Sequence, residues 1–295
     1  MSIISVKNLT KVYKNNYGIH DINIEVDKGT SFGFLGPNGA GKSTTIRHLM
    51  GYIKADKGTV EMFGTNVWKE SHLVQPKIGY LPGEITFPEQ TNGLDYIKMI
   101  FSLREQTNWE YVEELIQYWQ FNPDIKIKKM SKGMKQKVAL IIAFMHNPEL
   151  LILDEPTTGL DPLMQQKFID LVISEKAKGT TVFISSHIFA EIEKTCDQIA
   201  IVKSGKIVSD FVLQELVDLS DKRYVVKFSK EAIDSPFLRE NINKNVARYK
   251  VPYNEVENFF KEIKKVDFVS LKEVPFSLEK YFMDFYDKNK EVAHV

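Results

Sequence analysis

The sequence predicts an α/β protein with a mostly parallel core sheet, an N-terminal antiparallel β subdomain, an inserted α-helical subdomain and a small C-terminal α+β extension. Three observations carry this. The apolar runs "TSFGFL", "ELLILD" (149–154) and "TTVFISS" (180–186) are continuous and separated by helical stretches, as buried parallel strands are. Between about 85 and 148 the apolar residues instead fall three and four apart, the period of amphipathic helices. After about 220 short strand and helix patterns follow one another again.

The elements follow in chain order. "IISVKNLTKVY", "INIEV" and "TSFGFL" read as short strands. "KGTVEMFG" follows the first helix, and "KIGYLP" follows that. The inserted block carries the helices "NGLDYIKMIFSLR" and "NWEYVEELIQYWQF". Strands return at 149–154, 180–186 and "QIAIVKSGKIVSD" (198–210). The extension over 221–295 is joined to residues 1–220 through "LVDLSDK". It offers "RYVVKFS", "VARYKVP" and "DFVSLKEV" as strands, with "NEVENFFKEIKK" and "SLEKYFMDFYDKN" as helices. No repeat or low-complexity segment interrupts the chain.

Composition bounds the partners. The 295 residues are 43% hydrophobic and 26% charged, ordinary values for a soluble globular protein. Lys plus Arg and Asp plus Glu both count 39, so no global charge draws the chain to nucleic acid, and none is expected as a partner. The single cysteine, Cys196, allows no intrachain disulfide and fits a reducing cytosol. The N-terminus lacks a basic-then-apolar signal pattern. No stretch approaches the roughly 18 apolar residues of a membrane span. If the protein works at a membrane, another chain must cross it.

The chemistry begins at "FGFLGPNGAGKSTTIRHLMG" (32–51). An apolar strand ends at Leu35, and Gly36, Asn38, Gly39 and Gly41 precede Lys42, Ser43 and Thr44. Glycines let the backbone fold tightly with its N–H groups turned toward an anion. The helix that follows adds partial positive charge. Lys42 is placed to reach the β- and γ-phosphates of a nucleotide, Ser43 to ligate Mg²⁺, and Thr44 to donate to a phosphate oxygen.

The run Leu150–Leu153 delivers Asp154 at the carboxyl end of a buried strand, where open α/β sheets hold their ligands. Asp154 is the expected Mg²⁺ residue, and Glu155 the general base for an attacking water. "TVFISSH" brings His187 to the end of another strand, in position to touch a γ-phosphate or to orient the water. Ser131 and Gly133 stand before a fresh helix. Alone, a serine there is a helix cap. Beside a complete phosphate loop, a second anion-binding helix end makes sense if it covers a nucleotide held by another subunit.

Together these motifs resemble the ATP-binding subunits of ABC transporters, over about residues 3–215. "GPNGAGKST" matches the Walker A loop and "LLILDEP" Walker B. "GLDP" matches the D-loop through Asp161, and "SSH" the switch histidine His187. "KVY" resembles the aromatic A-loop, which puts Tyr13 on the adenine. The resemblance implies a P-loop NTPase fold and an ATPase using ATP and Mg²⁺. It also implies a homo- or heterodimeric sandwich of two ATPase subunits and a separate transmembrane permease. The chain would then sit at the inner face of the cell membrane, cytoplasmic and peripheral.

Two motifs depart from the family pattern. The signature is Met-Ser-Lys-Gly-Met at 130–134, in a form resembling the "SKGMKQ" of drug, antibiotic and peptide exporters. Where the family places a glutamine after "KIGYLP", this chain has Gly83 and then Glu84. Two other classes stay open on sequence: a soluble ATPase that remodels ribosomes or DNA, and a nucleotide-gated regulatory module with little turnover.

Overall fold

The structure, a computed structural model, describes residues 2–14, 17–232 and 235–283. It divides into two compact units, Met1–Phe211 and Val212–Val295.

The first unit is built on two sheets. Strands β1 (Ser2–Val12), β2 (Gly18–Asp27), β4 (Lys57–Met62) and β5 (Thr65–Asn66) form an antiparallel sheet in the order β2-β1-β4-β5. Its buried residues alternate along β2, leaving Ile19, Ile22, Ile24 and Val26 inside, as a sheet with one wet face requires.

The second sheet has the order β10-β9-β3-β8-β7-β6. Its strands are β3 (Ser31–Leu35), β6 (Ile78–Leu81), β7 (Leu150–Asp154), β8 (Thr181–Ser186), β9 (Gln198–Lys203) and β10 (Lys206–Val212). β3, β7 and β8 are buried at every residue. The pairs β9-β3, β3-β8, β8-β7 and β7-β6 are parallel. Phe32 and Phe183 stack at 5.4 Å between ring centroids across the β3–β8 pair.

Register decides the site. Leu35 pairs with Ser186, Asp154 with Ser185, and Leu81 with Leu153. Parallel strands in step end together. The loops after β3, β6, β7 and β8 therefore leave the sheet side by side, carrying Gly36–Thr44, Gly83, Glu155 and His187.

Helix α1 (Lys42–Leu49) follows β3, and α2 (Val67–Val74) follows β5. The sequence reading has no helix at α2. It is short and kinked at Glu70, so its period is too brief to register, while the Asn66 cap accepting from Lys69 N is local chemistry. The inserted block holds α3 (Gly93–Leu103), α4 (Trp109–Trp119) and α5 (Lys132–Phe144). Helices α6 (Pro162–Ala177) and α7 (Phe189–Thr195) precede β8 and β9. "QIAIVKSGKIVSD" resolves into β9 and β10, turned at Ser204 and Gly205, both with positive φ.

The second unit is an antiparallel sheet of the order β12-β13-β11-β14. Its strands are β11 (Lys222–Phe228), β12 (Leu238–Asn243), β13 (Val246–Val251) and β14 (Phe268–Val274). Helix α9 (Val256–Ile263) buries Phe259 and Ile263 against Tyr224, Val226, Phe228 and Tyr249. Of the stretch read as a linker, Leu216–Leu219 lie in helix α8 (Leu213–Leu219) and Lys222 opens β11. The polar strand "LRENIN" of β12 lacks an apolar alternation and gives no sequence signal. The last expected helix, "SLEKYFMDFYDKN", is helical from Leu278 to Met283; its remainder lies outside the described residues.

Candidate functional site

The cradle after β3 is held by close contacts that only glycine allows. Gly36 N donates to Ser186 O at 3.1 Å, and a Cβ on Gly36 would stand 2.3 Å from Val202 O. Gly41 has φ 109°, and a Cβ there would meet Ile19 Cγ2 at 2.7 Å. Gly39 also has positive φ but opens to free space, and Asn38 beside it is exposed. The loop thus turns tightly into the start of α1, whose first turn carries Lys42, Ser43 and Thr44.

Lys42 is 6% exposed. Its ammonium donates to Gly36 O at 2.6 Å and Pro37 O at 3.2 Å. It also lies 3.0 Å from Glu155 Oε1, as an ion pair without hydrogen-bond geometry. Ser43 faces solvent. Thr44 turns its carbonyl to His48 Nδ1 at 2.8 Å inside the helix.

Asp154 is buried at the end of β7, and the hydroxyl of Ser185 donates to its Oδ1. Oδ2 faces Gly83, where an added Cβ would stand only 3.0 Å away. Glu155 follows with a left-handed φ of 50°. Its N–H donates to Ser185 O at 3.0 Å. Non-glycine residues hold that backbone region where the surroundings impose it, a feature concentrated at functional sites. The turn sends the Glu155 carboxylate back across the end of the sheet. Its Oε2 meets His187 Nδ1 at 2.6 Å. Lys42, Glu155 and His187, far apart in sequence, thus form one chain of contacts.

The signature residues pack on a neighbouring turn. The Ser131 hydroxyl accepts from Met134 N at 3.2 Å, capping α5. A Cβ on Gly133 would stand 2.9 Å from Gly159 O, and one on Gly159 would meet Lys132 Cγ at 3.0 Å. Lys132, which departs from the family pattern, therefore lies across the turn leading to Asp161. Asp161 caps α6, accepting from Met164 N at 3.0 Å. Tyr13 lies just beyond β1 and is 45% exposed, with Lys11 Nζ 6.0 Å from its ring centre. Glu84 is exposed.

Sequence reasoning missed three supporting residues. Ser185 holds Asp154, and Gln136 donates from α5 to Pro156 O at 2.6 Å. Glu191 on α7 accepts from Ser186 Oγ at 2.5 Å. Ser185 and Gln136 stand inside the quoted "SSH" and "SKGMKQ" runs, where only their neighbours are assigned a role, and Glu191 lies outside any motif, four residues after His187.

Comparison with known proteins gives this geometry its family. An ABC transporter ATP-binding protein of Methanocaldococcus jannaschii is 34% identical over 287 residues, covering 95% of this chain and 98% of that protein. The chain belongs to the ABC transporter ATP-binding family. The family model for ABC transporters matches residues 19–158. The bacitracin transport ATP-binding protein BcrA of Bacillus licheniformis is 37% identical over 73% of this chain and 71% of its own length. The linearmycin resistance ATP-binding protein LnrL of Bacillus subtilis is 32% identical over 80% of this chain and 78% of its own.

Among solved structures, an ATP-binding subunit of an ABC transporter aligns with a TM-score of 0.67 at 29% identity, over 72% of this chain and 91% of that one. A dimeric ABC transporter cassette aligns at 0.65 and 22% identity, over 71% and 98%. This chain has the ABC ATPase fold of the P-loop NTPases, and its family hydrolyses ATP. The match to the M. jannaschii relative is long enough to take in the second unit. No helix among the described residues is long and apolar enough to cross a membrane.

The residues present suit Mg²⁺. The donors at hand are a hydroxyl, Ser43, and a carboxylate fixed by Ser185, all hard oxygens. Among the described residues no group of three His, Cys, Asp or Glu could hold a metal. A cation held by Ser43 and Asp154 would have few protein ligands and would leave the rest of its shell to phosphate and water, as suits Mg²⁺.

Proposed function

We propose that this chain binds MgATP on the Lys42 cradle and hydrolyses it as one half of a two-ATPase sandwich, driving a separate membrane permease. One observation carries the reading: Lys42, Glu155 and His187 converge, with contacts of 3.0 Å and 2.6 Å to the two oxygens of one carboxylate.

The amides of Asn38, Gly39 and Gly41, with Lys42 and Thr44, bind the phosphates, on a loop that Gly36 lets pack closely against Val202 O. Tyr13 stacks on the adenine. Mg²⁺, held by Ser43 and Asp154, neutralises phosphate charge when bound. Water attacks the γ-phosphorus while the bond to the ADP oxygen breaks. Glu155 takes the proton of that water and His187 holds the base in line.

Ser131, Gly133 and Asp161 act on the nucleotide of the opposite subunit. The γ-phosphate closes the two halves and its loss reopens them, a population shift set by differential binding. The partner subunit is a second copy or a close relative. The movement passes to the permease through the block beginning near Glu84, at the cytoplasmic face of the membrane. Relatives named for bacitracin transport and linearmycin resistance support outward movement of an antibiotic, a drug or an amphipathic peptide.

The test is twofold. The purified chain should release phosphate from ATP in a magnesium-dependent way. The chain should also co-purify from detergent extract with a polytopic membrane protein. Absence of turnover removes the ATPase reading, and absence of that partner removes the transport reading.

A further inference from the structure

Glu191 is 4% exposed, and the hydrolytic steps above give it no part. It stands on α7, which lies directly on β3. A Cβ on Gly33 would come within 2.6 Å of Ile192 Cγ2, so the bare backbone at Gly33 sets how closely the helix sits. At that depth Glu191 Oε2 accepts the Ser186 hydroxyl at 2.5 Å. The same hydroxyl oxygen accepts from Ile188 N at 3.0 Å. Ser186 and Ile188 are the two neighbours of His187, so one carboxylate anchors the backbone on both sides of the histidine.

The other oxygen, Oε1, is buried and faces the Thr157 hydroxyl. Burying a carboxyl costs free energy even where hydroxyls face it. A leucine would fill an apolar seat under α7 without that penalty, but could not hold Ser186.

We propose that Glu191 is a positioning residue for ATP hydrolysis: through Ser186 it fixes the loop that presents His187 to Glu155. The proposal rests on the assignment of Glu155 and His187 to the reaction. Glu191 touches no reacting atom. Its effect runs through the Ser186 hydroxyl, whose proton is committed to the carboxylate and whose lone pair is thereby aimed at Ile188 N. Without the carboxylate that hydroxyl is free to rotate, and the His187 ring loses its fixed approach to Oε2 of Glu155.

The experiment compares kcat, KM for ATP, nucleotide affinity and thermal midpoint for Glu191→Ala, Ser186→Ala, Glu191→Gln and Glu155→Gln in the full chain. Glu191→Ala and Ser186→Ala should each lower kcat by about 10–100-fold, the usual cost of losing a supporting hydrogen bond. Nucleotide affinity should stay within about threefold, because the loss falls on the transition state. The amide oxygen of Glu191→Gln still accepts from Ser186, so this variant should recover most of the loss. The double variant Glu191→Ala/Ser186→Ala should lose no more than the worse single one, since the two act as a unit.

Wild-type kcat in both Glu191→Ala and Ser186→Ala overturns the proposal, and so does Glu191→Gln as impaired as Glu191→Ala. If Glu191→Ala does not fold, Ser186→Ala and Glu191→Gln decide the matter. Normal turnover in Glu155→Gln would instead bring down the hydrolytic reading itself. An inactive Glu155→Gln beside fully active Glu191→Ala and Ser186→Ala brings down this inference alone.

Discussion

Lys42 Nζ lies 3.0 Å from Glu155 Oε1, while the other oxygen of that carboxylate meets His187 at 2.6 Å. The cation that would bind phosphate and the base that would activate water are thus in direct contact, beyond the ends of β3 and β7, the two strands that flank β8. Lys42 is buried and Glu155 half-buried, at 6% and 17% exposed. Removing either leaves its partner's charge poorly compensated in a low-dielectric site.

Lys42→Ala therefore acts twice. It removes the phosphate cation and leaves Glu155 without its ion pair. Nucleotide affinity should fall by at least about tenfold, or 1.4 kcal/mol, and turnover should become unmeasurable. Titration with a fluorescent ATP analogue checks the first effect; affinity equal to wild type would remove Lys42 from the cradle.

Asp154 accepts from Ser185 on Oδ1 and has bare Gly83 backbone beside Oδ2, and each side predicts a magnesium phenotype. Ser185→Ala removes the donor to Oδ1. Gly83→Ala puts a methyl 3.0 Å from Oδ2, closer than nearly all real contacts of that kind, so the carboxylate must shift. Both variants should raise the magnesium concentration for half-maximal ATPase by roughly 3–10-fold, the lower range for supporting interactions at metal sites. Their thermal midpoints measured without nucleotide should change much less. A magnesium titration identical to wild type in both would detach Asp154 from the metal.

Much of this was legible in the sequence because motif and element coincide. Gly36 to Thr44 sit where an apolar strand meets a helix, and Asp154 ends a run of four apolar residues. Continuous burial of β3, β7 and β8 makes such runs unambiguous. Contacts between segments were not legible. That Gly133 is required by Gly159 O, or that Gly83 faces Asp154 Oδ2, depends on how α5 and β6 pack. Local pattern carries no record of that. Helices α2 and α8 and strand β12 escaped for a related reason. Each is short, eight residues or fewer, which leaves too little chain for a period to show.

Glu191 also makes stability depend on pH. Burial, with the charge of Glu155 added, lifts its carboxyl from an ordinary 4.5 to about 7. Ser186 and Thr157 face it with hydroxyls, and its charge is felt by the buried thiol of Cys196. The folded chain thus holds this proton more tightly than the unfolded one. The resulting stabilisation is complete below about pH 4.5 and is lost as pH rises through about 7. Glu191→Gln carries no such charge. Its thermal midpoint should exceed that of the wild type by several degrees at pH 8, and the gap should close toward pH 5. His146 acts oppositely. Burial and Arg104 hold it down to about 4, so its contribution is present above pH 6.5 and lost as pH falls. A gap between wild type and Glu191→Gln that is constant from pH 5 to 8 would show that Glu191 does not titrate there.

The most direct test of the account is the association state of Glu155→Gln, measured by sedimentation with and without MgATP. With the base removed and the Lys42 cradle intact, ATP should bind without being consumed and hold two chains together. The account predicts a dimer that appears with ATP and dissociates when ATP is replaced by ADP. A variant that stays monomeric at saturating MgATP, or that hydrolyses ATP at the wild-type rate, would contradict it.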